Sequence, residues 1–87
     1  DKELIKYTQR LTCGMVSMQL QVEDGLITSC LLSGDFIGNL PPQHLEHALI
    51  GLRYDRDDLY RNLSSMNIRD YFDGVTADEL LHLFFNN

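Results

Sequence analysis

Met15–Phe36 reads MVSMQLQVEDGLITSCLLSGDF, and its first half decides the fold. Val16, Met18, Leu20 and Val22 alternate with Ser17, Gln19 and Gln21, the period of a strand with one buried face. Asp24-Gly25 follows, a dipeptide that accepts the positive φ values of a two-residue hairpin turn. With that turn, Val22 faces Ile27, Leu20 faces Ser29 and Met18 faces Leu31. Val16, Met18, Leu20, Val22, Ile27 and Leu31 then share one face, and Ser17, Gln19, Gln21, Thr28 and Cys30 share the other. The apolar face needs a cover, which only the helical periodicities of the C-terminal half supply.

Working outward, Tyr7, Gln9, Leu11 and Cys13 alternate with Thr8, Arg10 and Thr12, which predicts a strand over 7–13. Asp1–Ile5 is polar and terminal, and is expected either to fray or to belong to a linker. Gly14 falls at the tight connection two antiparallel neighbours need. Beyond the hairpin, Ser33–Asn39 holds two glycines, an Asp and an Asn around Phe36 and Ile37, which reads as a loop. Pro41-Pro42 suits a helix start. Leu45, Ala48, Leu49 and Leu52 form the stripe of that helix and Gly51 its end. Asp55, with Asp57 and Asp58 in the first turn, opens a second helix carrying Leu59, Leu63 and Met66. Asn67–Phe72 predicts a short helical turn before Asp73-Gly74. Thr76 with Glu79 matches a capping box and Val75 with Leu80 a hydrophobic staple, opening a last helix that presents Leu80, Leu81, Phe84 and Phe85. The expected architecture is α+β in two layers, a three-stranded antiparallel meander packed against about three helices.

Composition narrows the function classes. Eighty-seven residues make one domain with one core, and 44% hydrophobic content without low-complexity runs fits a globular chain. Thirteen acidic residues against seven scattered basic ones give a net charge of −6, which repels a phosphate backbone and argues against nucleic-acid binding. No apolar run approaches the roughly 20 residues of a membrane span, and no basic-then-apolar signal segment is readable. Cys13 and Cys30, both on predicted strands, read as small hydrophobes in a reduced, cytoplasmic setting rather than as a disulfide framework. The chain opens on Asp1 rather than Met, so a piece of a longer protein is expected.

Few residues offer chemistry. His44 and His47 are three apart on one predicted helix, but zinc needs three or four ligands and no others stand at readable spacing, so a solvated face is expected. His82 reads as structural or surface. Two cysteines without Cys-x-x-Cys cannot hold an iron–sulfur cluster. Asp55, Asp57 and Asp58 lack the alternation and closing Glu of a calcium loop and read as helix capping. Lys2 and Lys6 are terminal and weak candidates for catalysis. Neither a nucleophile–base arrangement nor a phosphate-cradling glycine loop is present. Gly34-Asp35-Phe36 remains, with two readings. Either Phe36 plugs the sheet–helix seam while Asp35 caps the turn, or the loop offers an edge to a partner.

Taken in order, the motifs resemble the C-terminal accessory domain of bacterial lipoate–protein ligases. The resemblance rests on Gly14, on Val22 with Asp24, Gly25 and Ile27, and on Gly34-Asp35-Phe36. It continues through Leu49, Gly51 and Tyr54, then Tyr71, Phe72, Gly74, Thr76, Glu79 and Leu80, spanning about residues 9–85. Ile37 departs from the pattern, which would place a second aromatic or bulky residue after Phe36.

The resemblance implies a domain whose fold is similar to that of iron–sulfur scaffold proteins. It further implies a parent enzyme that uses ATP, Mg and lipoate to make lipoyl-AMP and passes the lipoyl group to a lysine of an acceptor domain. Lipoate pocket, catalytic lysine and nucleotide contacts would lie in an N-terminal catalytic domain, so no catalytic, cofactor or metal residue is expected here. Gly34, Asp35 and Phe36 are the candidate interdomain contact. The alternative is a small scaffold or protein-interaction module related to iron–sulfur assembly; the scaffold needs clustered cysteine ligands, for which Cys13 and Cys30 are too few.

Overall fold

The computed structural model describes residues 1–36 and 38–87. Three strands, β1 (Lys2–Leu11), β2 (Gly14–Glu23) and β3 (Leu26–Phe36), precede four helices, α1 (Pro42–Leu49), α2 (Arg56–Ser64), α3 (Ile68–Tyr71) and α4 (Ala77–Phe85). The sheet is an antiparallel meander in the order β1-β2-β3. This is the expected α+β architecture, with the short turn at 68–71 counted as a fourth helix. Asp24 and Gly25 take φ values of 53° and 81°, the two left-handed residues of a mirror-image hairpin turn.

The hairpin register differs from the simple count beyond its first pair. Val22 does oppose Ile27, but Gln21 opposes Ser29, so Thr28 is an extra residue in a β-bulge. Leu20 therefore opposes Cys30, and Met18 opposes Leu32. Cys30 and Leu32 turn into the core and Leu31 is left 53% exposed. An unbulged strand would bury Leu31 and Asp35; the bulge buries Cys30 and Leu32 and turns Phe36 inward, the better exchange of apolar for polar surface.

Two further expectations change at the ends of β1. Lys2–Ile5 is paired strand, with Lys2 opposite Glu23 and Ile5 buried opposite Leu20. All ten residues of β2 find a partner on β1, so the ladder runs to the hairpin end rather than fraying. Cys13 is not on a strand; Thr12 and Cys13 form the turn between Leu11 and Gly14.

The helices cover one face of the sheet. Val16, Met18, Leu20 and Ile27 from the sheet meet Leu45, Leu49, Leu59, Leu63, Phe72, Leu80, Leu83 and Phe84, all fully buried. Each such side chain contributes about 1.5–3 kcal/mol by leaving water. α1 packs against β3 and α4 against β1 and α2. In α1 the inward residues are Leu45, Glu46 and Leu49, while Ala48, expected on the stripe, is exposed. After α1, residues 51–53 run along β3: Ile27 N–H donates to the Leu52 carbonyl (2.8 Å) and Gly51 N–H to the Ile27 carbonyl (2.7 Å).

Asp55 caps α2 by accepting from Asp58 N–H at 3.0 Å, and Thr76 Oγ1 caps α4 by accepting from Glu79 N–H at 3.2 Å. The expected capping box is only half formed. The Glu79 carboxylate accepts instead from Thr12 N–H (2.7 Å) and Thr12 Oγ1 (2.9 Å), tying the β1–β2 turn to α4. Across the domain, the Tyr54 hydroxyl donates to the Phe84 carbonyl at 2.7 Å and its ring stacks on Phe85. No helix among the described residues is long and apolar enough to cross a membrane.

Candidate functional site at the end of the third strand

Gly34, Asp35 and Phe36 are strand rather than loop, because β2 and β3 stay paired to Gly14 opposite Phe36. Two glycines permit this. Gly14 and Gly34 have φ values of +128° and +135°, and a Cβ on either would collide with a backbone carbonyl oxygen, that of Asp35 or of Met15 respectively. The two backbones approach so closely that neither site has space for a side chain.

Alternation along the strand then separates the candidates. Asp35 lies on the uncovered face, exposed, in the row Arg10–Met15–Asp35. Phe36 lies on the helical side, half-buried, its ring centroid 4.9 Å from that of Phe72 at 51°. Phe36 thus fills the seam between sheet and helices, while Asp35 projects to solvent instead of capping a turn. Beyond it, a Cβ on Gly38 would meet the Tyr71 carbonyl oxygen, and the N–H groups of Asn39 and Leu40 both donate to the Asp70 carbonyl at 2.8 Å. The segment after β3 is thereby strapped to α3. Ile37, the departure from the family pattern, lies outside the described residues.

The remaining chemical candidates are scattered. His44, His47 and His82 are exposed, and among the described residues no three His, Cys, Asp or Glu side chains are placed to hold a metal ion. Both cysteines are free thiols. Burial, and then the nearby Glu46 carboxylate, pushes the Cys30 thiol up to about 12. Burial is likewise the main cause raising Cys13, opposed by a backbone hydrogen bond. Raised thiols stay protonated and are poor nucleophiles and ligands. A cleft of about 350 Å³ between the end of α2 and the start of α4 is lined by Leu63, Met66, Ile68 and Val75, with Arg69 its one ionisable group. A single cation with no acid or base beside it does not make a reaction centre.

One polar residue escaped the sequence reading. Glu46 is only 8% exposed, and its carboxylate accepts from the Leu32 N–H of β3 at 2.7 Å inside the protein. The available signal was its place between Leu45 and Leu49, on the edge of the apolar stripe where Ala48 was expected.

Residues 4–84 match the family described as bacterial lipoate protein ligase C-terminus. The chain is 35% identical over 77 residues to a lipoate–protein ligase of Streptococcus pyogenes serotype M5, covering 88% of this chain and 23% of that protein. It is 33% identical over 79 residues to lipoate–protein ligase 2 of Staphylococcus aureus, covering 91% and 23% respectively. It is 28% identical over 81 residues to the lipoate-protein ligase LplJ of Bacillus subtilis, covering 93% and 24%. The chain therefore spans about a quarter of the length of the curated relatives it matches.

Proposed function

From the premise that the chain belongs to the family of bacterial lipoate protein ligase C-termini, we propose that it serves as the accessory domain of a cytoplasmic lipoate–protein ligase. In this reading residues 1–87 are one domain of a longer enzyme. Its separate N-terminal domain binds lipoate, ATP and Mg, forms lipoyl-AMP and transfers the lipoyl group to a lysine of an acceptor protein. The accessory domain supports those steps without contributing a reacting group. The carrying observation is the extent of the match: nearly the whole chain aligns, yet with only about a quarter of each ligase.

Within the domain, Gly34-Asp35-Phe36 is the proposed interdomain contact, with divided roles. Gly34 lets β3 close on β2, Phe36 anchors the strand end against Phe72, and Asp35 presents an exposed carboxylate to a donor on the catalytic domain. The test pairs two measurements. The 87-residue chain with lipoate, ATP, Mg and an acceptor domain is expected to form neither lipoyl-AMP nor lipoylated acceptor; transfer by this chain alone overturns the proposal. In the ligase that carries the chain, Asp35→Ala is expected to slow adenylation while changing stability by less than about 0.5 kcal/mol. Unchanged adenylation removes Asp35 from the contact.

A further inference from the structure

The sheet has a face that none of the described residues covers, and its charge is unlike that of the rest. On β1, Lys2, Leu4, Lys6, Thr8 and Arg10 all point to it, opposite Ile5 and Leu11, which are buried. Three of the chain's seven basic residues therefore lie in one row, in a protein whose net charge is −6. None of the three has a carboxylate within ion-pair distance among the described residues. Glu23 and Asp35 are the acidic residues on the same face, and Glu23 accepts from Thr28 Oγ1 at 3.1 Å. Between the edge strands lie uncharged Ser17, Gln19 and Gln21, flanked by Leu4 and Leu31, 63% and 53% exposed.

We infer that this face is the surface on which the larger domain of the ligase docks, through an acidic patch with apolar residues; the inference rests on the reading proposed above. The cations recur every fourth residue of a strand, about 13 Å apart. That spacing suits separate carboxylates and is far too sparse for a duplex carrying one charge per about 1.7 Å. Strands of 10, 10 and 11 residues make a face of roughly 33 by 15 Å. Docking it buries on the order of 1,000 Å² in total, within the roughly 600–1,500 Å² of contacts between domains of one chain. The mixed character, Leu4, Leu26, Leu31 and Met15 among polar and charged side chains, is that of a reversible contact rather than a permanent core. A tethered partner needs no more, because a linker holds it at an effective concentration of about millimolar. The relatives are about four times this chain's length, which gives the tether a partner of sufficient size.

The only two lysines of the chain, Lys2 and Lys6, both lie on this face, so zero-length carbodiimide coupling reports on it directly. In the full-length ligase, the expected products join Lys6 or Lys2 to aspartates or glutamates of the larger domain. Arg10→Glu keeps both lysines and is expected to lower that yield roughly fivefold, the effect of one surface charge contact turned repulsive. Leu31→Ser, two strands from Lys6 in the row Lys6–Gln19–Leu31, alters no charge and is expected to lower it as well. Coupling confined to carboxylates of this domain overturns the inference. So does coupling to a second copy or to a separate acceptor protein, or a yield that neither variant changes. Lipoyl-AMP formation by the unaltered enzyme is measured in parallel. Its absence refutes the ligase reading whatever the cross-links show, and its presence without the cross-links refutes the docking face alone.

Discussion

Replacing Glu46 separates two effects that act together in the native domain. The residue is 8% exposed, and its carboxylate accepts from the Leu32 N–H of β3 at 2.7 Å. Glu46→Ala leaves that donor inside the protein with no acceptor, at a cost of about 1–3 kcal/mol for a buried unsatisfied group. At roughly 4–8 °C per kcal/mol for a domain of this size, the central value lowers Tm by about 8–16 °C. Glu46→Gln keeps a carbonyl oxygen of nearly the same reach and gives up only the charge, so it should cost less than about 1 kcal/mol. Cys30 supplies a second readout. The Glu46 charge is the lesser cause of its raised pKa, after burial, so both variants should lower the thiol's pKa while leaving it above the ordinary value. The assay is thermal melting of the three proteins side by side at neutral pH, with thiol alkylation followed against pH. If the Ala variant melts with the Gln variant, or above the native protein, desolvating the carboxylate costs as much as its hydrogen bond contributes, and β3 is not held by Glu46.

Gly34→Ala should destabilise by at least about 2 kcal/mol, because its Cβ meets the Met15 carbonyl oxygen at a φ that L-residues avoid; a melt within about 2 °C of native would refute the close approach of β2 and β3. Stability should fall in alkali, since burial holds both Cys30 and Tyr54 near 12, above unfolded values of about 8.5 and 10. With folded pKa values raised, this stabilisation is complete below the unfolded values and disappears as pH climbs towards 12. Melts between about pH 8 and 12 should decline less steeply for Cys30→Ala and for Tyr54→Phe, the latter starting lower for want of its bond to the Phe84 carbonyl. Thr76→Ala should cost about 1 kcal/mol. Glu79→Ala keeps the backbone N–H that Thr76 caps but removes the carboxylate that accepts both hydrogen bonds from Thr12, so it should cost about 1–3 kcal/mol; an unchanged melt of Glu79→Ala would show that the tie to the turn is idle.

Periodicity and turn chemistry made most of this fold legible. Val16 to Val22, the Asp24-Gly25 turn, the Asp55 and Thr76 caps and the buried Val75 and Leu80 are where their local chemistry places them. The misreadings share a cause: each depends on a partner distant in sequence. The bulge at Thr28 is decided by what Asp35 and Phe36 would meet several residues later. Asp1–Ile5 looks terminal until β2 is seen to need a partner along its full length. Glu46 looks like surface until β3 brings an N–H to it, and Glu79 fits a local box but finds better donors at Thr12. The candidate site was legible as residues and illegible as geometry. Gly34-Asp35-Phe36 stands out by composition, but only strand pairing shows that Asp35 and Phe36 face opposite ways.

The bulge at Thr28 also bears on which changes of chain length the domain tolerates. Ile27 points inward, as do Cys30 and Leu32, and Ser29 already stands opposite Gln21. Losing Thr28 would therefore leave a regular strand with every inward side chain still inward, and the N–H groups that meet Leu52 and Glu46 still on the outer edge. Loss of Ser29 would do the same, with Thr28 taking its place in the ladder. A one-residue deletion elsewhere in the middle of a strand inverts everything beyond it. β3 thus carries one dispensable residue in reserve, and chains of this family that differ by a single residue in length can absorb the difference there without exchanging core for surface.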